Sequence, residues 1–283
     1  IKESIQKEGK SVKISVFKKS LFPIVIIGTV ISVLQQFTGI NAVLYYGADI
    51  FEQALGFGQD KILLQQILLA TVNLLFTFVA MYLIDRMGRR PLLLFGTAGI
   101  ALSLLLCAYG FKQATYELTS EEINSFEFSE ANKLQPYANQ VFENDIDFKN
   151  AMKLALGNQI YSKNDGAILE AATSMNATLV LIGILGFIAC FAFSLGPVMW
   201  VLLSELYPIK YRGLAIGVIA FINSFISSVV QLIFPWELSN LGNAMSFFLF
   251  GAIAFIGFFI LLKILPETKG KSLEQIENEF VRN

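Results

Sequence analysis

Gln35, Gln36 and Asn41 fall within one apolar run, with Thr38 and Gly39 between them and Tyr45 and Tyr46 beyond. A side-chain amide both donates and accepts hydrogen bonds, which matches the hydroxyls of a neutral polyhydroxylated ligand. An ideal helix advances about 100° per residue, so Gln35 and Asn41 point about 120° apart and Gln36 points elsewhere. One straight helix cannot aim all three at a small ligand. A break at Thr38-Gly39 would, and broken spans are a recurrent device for building sites at mid-membrane depth. The competing use of the amides is hydrogen bonding between helices.

Other polar residues stand in similar surroundings. Asn73 is alone in its apolar run, where an interhelical hydrogen bond is the simpler role. Gly196-Pro197 loosens another run, because proline removes a backbone donor, and Trp200 follows three residues later. A flat indole there can stack on a ligand or simply pack in the core. Asn223, Ser227 and Gln231 recur every four residues and form a polar stripe on an otherwise apolar helix.

The elements that must position these groups are membrane spans. Hydrophobic residues make up 55% of the 283-residue chain and charged residues only 15%. Soluble domains carry about 25% charged residues. The mean hydropathy is +0.61. Six stretches lack Asp, Glu, Lys and Arg: Leu21 to Tyr46, Ile62 to Ile84, Pro91 to Phe111, Ala177 to Ser204, Gly213 to Trp236 and Ala244 to Leu262. Each is long enough to cross a bilayer core of about 30 Å as a helix. Helix is the form expected, since backbone groups facing lipid must be satisfied internally.

Charge patterning predicts the orientation. Lys2, Lys7, Lys10, Lys13, Lys18 and Lys19 precede the first stretch. Arg86, Arg89 and Arg90, then Lys210 and Arg212, then Lys263, Lys269, Lys271 and Arg282 occupy every second connection and the end. The alternate short loops hold Lys61 with Asp49, Glu52, Asp60 and Glu237. The positive-inside rule puts both ends of the chain in the cytoplasm. Residues 112–176 then form a long extracytoplasmic loop, too long for an ordinary connection. Within it, Asn144 to Leu156 has the pattern of an amphipathic helix, with Ile146, Met152 and Leu156 on or near one face. The sequon Asn176-Ala177-Thr178 sits at a span end and is a weak glycosylation signal.

The composition also excludes functions. The chain has no His, which removes the usual general base and the commonest metal ligand. Cys107 and Cys190 each sit in an apolar run and read as small buried hydrophobes, not as a disulfide framework or zinc site. A net charge of −1 gives no basic footprint for nucleic acid. We expect no enzyme activity, no metal and no cofactor. None of the six stretches holds an acid, so no proton-coupling carboxylate is expected inside the bilayer from this chain. At the cytoplasmic corners, Asp85, Glu205 and Glu267 stand beside Arg86, Arg89, Arg90 and Arg212. Ordinary positive-inside flanks explain the bases but not the acids. Salt bridges that form in one state and break in another explain both.

These motifs resemble those of the sugar porters of the major facilitator superfamily. Gln35-Gln36-Phe37-Thr38-Gly39-Ile40-Asn41 with Tyr45-Tyr46 looks like the family's seventh-span signature. Asp85 to Arg90 resembles its loop between spans eight and nine. Gly196-Pro197 with Trp200, Glu205, Pro208 and Arg212 resembles its tenth-span motif, and Pro266 to Lys271 its Pro-Glu-Thr-Lys-Gly tail. The resemblance implies an all-α integral membrane protein. Its six-transmembrane-helix bundle is the C-terminal half of a major facilitator fold, with the long extracytoplasmic loop inserted. It implies a division into 1–20, the end of an intracellular linker; 21–111, three spans; 112–176, the inserted loop; 177–265, three spans; and 266–283, a cytoplasmic tail. The function implied is transport of a monosaccharide, hexose or pentose, across the plasma membrane by alternating access. The implied sugar contacts are Gln35, Gln36, Asn41, Tyr45, Asn73, Trp200 and Asn223. Ser224 stands where the family often has a second Trp, a departure that bears on the sugar preferred. Implied partners are the bilayer, an N-terminal six-span half and, in the family's symporters, a proton bound in that half. The alternatives are a non-transporting sugar sensor and an inactive half-carrier fragment.

Overall fold

The computed structural model describes residues 21–47, 50, 62–271 and 275. The expected linker at 1–20 and most of the tail beyond residue 271 lie outside the described residues, as do Asp49, Glu52, Asp60 and Lys61. Helices are numbered here among the described residues. They are α1 Phe22–Phe37, α2 Ile40–Tyr45, α3 Ile62–Met87, α4 Arg89–Lys112, α5 Ser120–Ser125, α6 Asp145–Leu156, α7 Asn158–Ala172, α8 Ala177–Phe193, α9 Pro197–Leu206, α10 Ile209–Asn240 and α11 Gly242–Ile264.

Six stretches of helix are long and apolar enough to cross a membrane: α1 with α2, α3, α4, α8 with α9, α10 and α11. Prolines mark the starts of three of these helices. Pro23 and Pro197 occupy the first turns of α1 and α9, and Pro208 caps α10. A proline there wastes no hydrogen bond, since the first N–H groups of a helix have no intrahelical partner. Two spans are broken in the middle. The first breaks at Thr38-Gly39, where Gly39 takes φ +77°. The fourth breaks at Ser194 to Gly196, ahead of Pro197.

The bundle packs through small residues. The helix α4 lies against α8 and α11, and α10 lies against α1. A Cβ built on Gly96 would stand 2.0 Å from the Ser194 Cβ, so the α4–α8 approach depends on that glycine. The remaining faces of α3 and α10 are open. Leu64, Leu74 and Phe78 on α3 and Phe221, Phe225 and Leu232 on α10 are all exposed. Among the six spans, α3 is the least buried within this chain and α10 the next.

The helix α10 runs further than the charge-free stretch at Gly213 to Trp236. It passes through Pro235 and reaches Asn240, so Glu237 sits in its final turns and not in a loop. Only Leu241 separates it from α11, whose first residue, Gly242, takes φ +78°.

Residues between α4 and α8 fold into a cap with its own core. Strand β1 (Thr115–Tyr116) pairs antiparallel with β2 (Thr173–Ser174) and ties the two ends of the segment together. A capping box between Thr119 and Glu122 opens α5, and a 3₁₀ turn follows at Ala131–Tyr137. The core holds Tyr116, Leu134, Phe148, Met152, Leu156, Tyr161 and Ile168. The predicted amphipathic helix is α6, begun by the Asn144 side chain accepting from Asp147 N–H at 2.8 Å. Its buried face differs from the expected one. Phe148, Met152 and Leu156 line the core at four-residue steps, while Ile146 is only half-buried. The larger ring gives more buried area on a helix with room for one stripe. At the segment's end the Asn176 side-chain oxygen, Oδ1, accepts from Leu179 N–H at 3.1 Å, so this sequon residue serves as the cap of α8.

Candidate functional site

The break at Gly39 turns the first span so that its amides converge. An L-residue at φ +77° is strained, and a Cβ there would also meet the Phe250 ring at 2.5 Å. Glycine is therefore the residue that allows both the turn and the close packing. Across the break, Asn41 Nδ2 donates to Gln36 Oε1 at 2.8 Å and to Ser227 Oγ at 2.8 Å. Gln36 Nε2 donates to Asn223 Oδ1 at 2.9 Å and to Gln35 Oε1 at 3.2 Å. Asn223 Nδ2 donates to Gln35 Oε1 at 2.7 Å, and Gln35 Nε2 donates to the Leu195 carbonyl at 2.7 Å. The α10 stripe continues with Gln231 Nε2 donating to Ser227 Oγ at 2.9 Å.

Four of the seven predicted contact residues, Gln35, Gln36, Asn41 and Asn223, thus form one network between α1, α2 and α10. Gln35, Gln36, Asn223 and Ser227 are buried, and Asn41 is half-buried at the rim. The network is closed on itself. Both amide hydrogens of Gln36, Asn41 and Asn223 are already used. A ligand here must exchange its hydroxyls for existing internal bonds. The amide's dual donor and acceptor character permits that exchange.

The other three residues are not in the network. Tyr45 is exposed, at the end of α2. Trp200 is 36% exposed on α9, just past the second break. Asn73 lies on α3, where its carbonyl and side-chain oxygens take a hydrogen bond from Thr77 at 2.8 and 3.4 Å. It lines a separate cavity of about 430 Å³ with Leu44, Gln66 and Leu69. The Leu195 carbonyl, an acceptor freed by the break before Pro197, is a member of the site that the residue types do not reveal. Backbone acceptors carry no residue signature. Ser227 belonged to the visible four-residue stripe, and its spacing was the available signal.

At the opposite end of α4 from the cap lies a charged corner. Arg89 Nη2 donates to Glu205 Oε1 at 2.7 Å and Arg89 Nε to the same carboxylate at 3.0 and 3.1 Å. Arg89 Nη1 lies 3.3 Å from Asp85. The Glu267 carboxylate accepts from the backbone N–H groups of Arg89 and Arg90 at 3.2 Å each. It therefore caps the start of α4, where N–H groups and the helix dipole favour an anion. Thr268 Oγ1 donates to Glu205 Oε2 at 2.6 Å, and Arg90 Nη2 donates to the Leu262 carbonyl at 3.0 Å. Two predicted members stand apart. Arg86 stacks on the Tyr82 ring at 4.1 Å, and Arg212 donates to the Tyr207 carbonyl at 3.2 Å. The corner joins α3, α4, α9 and the segment after α11. Asp85 and Glu205 fall at the very ends of their helices, where charge can reach water. Among the described residues no cluster of three potential metal ligands occurs.

Comparison with known proteins agrees with this architecture. The family model described as "Sugar (and other) transporter" matches residues 1–126 and 152–280. The gap at 127–151 falls within the cap. The chain is 32% identical over 271 residues to the probable metabolite transport protein CsbC of Bacillus subtilis, covering 95% of this chain and 46% of that protein. It is 28% identical over 260 residues to the D-xylose-proton symporter of Escherichia coli K12, covering 90% of this chain and 40% of that protein. A solved structure of the proton:xylose symporter XylE bound to 6-bromo-6-deoxy-D-glucose superposes with a TM-score of 0.63 at 28% identity, over 91% of this chain and 42% of that one. The chain spans about half the length of the curated relatives it matches, and its fold is a six-span half of the major facilitator architecture. This multi-pass membrane protein belongs to the sugar (and other) transporter family, a family of transporters and not of enzymes.

Proposed function

We propose that the chain is the C-terminal half of a monosaccharide transporter that works by alternating access in the plasma membrane, with both chain ends cytoplasmic. The observation that carries this reading is the buried network of Gln35, Gln36, Asn41 and Asn223, whose bonds a sugar's hydroxyls can replace one for one. Trp200, past the second break, supplies an aromatic face. Asn73 and Tyr45 complete the wall when the expected N-terminal half is in place. That half covers the open apolar faces of α3 and α10. Relatives include a D-xylose-proton symporter and a glucose transporter, which frames the substrate as a pentose or hexose. If protons are coupled, the carboxylate that binds them belongs to the N-terminal half.

The charged corner acts as the cytoplasmic gate. Arg89, Glu205, Asp85 and Glu267 lock four segments together in this state and separate when the bundle rocks. Arg86, Arg90 and Arg212 stand beside the lock and take up its carboxylates in the other state. Uptake of radiolabelled D-xylose and D-glucose into cells carrying the complete carrier tests the reading. Gln36→Ala and Trp200→Ala should each lower uptake of the transported sugar at least tenfold at equal surface expression. Uptake unchanged in both variants would contradict it.

A further inference from the structure

Between the cap and the bundle lies a second polar cavity that the amide network does not use. Its volume is about 600 Å³, inside the range of about 300–1,000 Å³ typical of small-molecule pockets. One wall is a single face of α7. Asn158, Tyr161, Ser162, Asp165 and Leu169 recur there at steps of one helical turn. The helix α6 contributes Lys149 and Lys153, and the floor includes Ser239 of α10 and Tyr46, which closes the end of α2.

Three features mark the cavity as built for a ligand. Tyr161 is only 4% exposed, lines the cavity, and has a hydroxyl with no hydrogen-bond partner among the described residues. A buried hydroxyl left unpaired is costly unless something else satisfies it. Burial, and next the neighbouring Asp165 and Asp145, raise the Tyr161 phenol above its ordinary value, so it remains a donor. Second, Lys153 and Asp165 both line the cavity and among the described residues neither has an ion-pair partner; Lys153 Nζ lies 5.6 Å from the Tyr161 ring centre and Asp165 Oδ1 accepts only from Gly166 N–H at 3.0 Å. The Lys149 charge, by contrast, is met by Asp145 at 2.9 Å. Third, the cap is held in place over the floor. Asp145 accepts from Asn243 N–H at 3.4 Å, and Gly242 at φ +78° leaves room for that carboxylate.

The lining sets the ligand class. An anion would meet Asp165, and a cation would meet Lys153. A neutral molecule rich in hydroxyls uses the ammonium, the phenol and the Asn158 amide as donors. It uses the carboxylate and the serine hydroxyls as acceptors. We propose that this cavity is a second binding site for a monosaccharide, roofed by α6 and α7 and separate from the amide network. The choice of ligand rests on the sugar-transport reading above. Because Tyr46 forms part of the floor, an occupied cavity also braces the end of α2.

The test places a reporter thiol on the α7 face. Ser162→Cys is introduced into the complete carrier and labelled in vesicles with a membrane-impermeant methanethiosulfonate, with the parent protein as the blank for Cys107 and Cys190. D-xylose and D-glucose are the probes, and glycine is the zwitterionic control. At least one sugar should slow labelling threefold or more, and equally in a Gln36→Ala background. Asp165→Asn, at an exposed position, should raise the half-protecting concentration at least fivefold. No protection by either sugar would overturn the proposal. So would protection that vanishes with Gln36→Ala, protection by glycine alone, or an unchanged half-protecting concentration in Asp165→Asn. Protection that persists in a carrier showing no sugar uptake would sink the transport reading and leave this site standing.

Discussion

The amide network and the charged corner both join distant parts of the chain, but they are made of opposite materials. The first uses Gln35, Gln36, Asn41 and Asn223 and contains no ionised group. The second closes on Arg89, Glu205 and Glu267 at helix ends. Depth explains the choice. A charge in mid-span is costly, whereas an amide can be satisfied by another amide. The bonds also differ in how they are exchanged. A neutral amide bond contributes about 0.5–1.5 kcal/mol net, so a sugar hydroxyl can replace it at little cost. A charge-assisted Arg–carboxylate bond is roughly twice as strong and depends on its geometry. The neutral network is suited to a ligand that comes and goes, and the ionic one to two alternative states of the fold.

This contrast predicts separable effects. The largest should follow Gly39→Ala. The left-handed backbone alone costs an L-residue about 1–2 kcal/mol, and the new methyl would collide with Phe250. Sugar uptake should fall more than tenfold, and thermal unfolding of the detergent-solubilised carrier should shift to lower temperature. Retention of both would mean that the break does not aim the amides. The smallest should follow Asn73→Ala. Among the described residues, the Asn73 side chain bonds only within its own helix, accepting from Thr77. Its removal should leave the melting temperature unchanged and raise the sugar concentration for half-maximal uptake a few-fold. An unchanged uptake curve would remove Asn73 from the site.

Much of this was legible in the sequence because hydrophobic length and polar exceptions are strong signals. The six spans follow from runs without charge, and the break at Thr38-Gly39 follows from amides that one helix could not co-align. The stripe through Asn223 and Ser227 was visible as a four-residue repeat. Other features left no such trace. The Leu195 carbonyl gains its role from the chain path, not from its side chain. Arg86 and Arg212 look like partners for nearby acids, yet stacking on Tyr82 and bonding to the Tyr207 carbonyl take them elsewhere. In the cap, Ile146 and Phe148 are two residues apart on one helix, and only the shape of the core decides that Phe148 is buried. The turn at Leu241-Gly242 was hidden because α10 continues through Pro235.

Equilibrium binding of radiolabelled D-xylose and D-glucose to the purified complete carrier, measured beside uptake, tests the division of labour most directly. The variants are Gln36→Ala and Arg89→Ala. Gln36→Ala should weaken binding of the transported sugar at least tenfold. Arg89→Ala should leave binding within threefold of the parent while uptake falls tenfold or more. Binding that survives Gln36→Ala intact, or that is lost with Arg89→Ala, would contradict the assignment of the sugar to the amide network and of the gate to the charged corner.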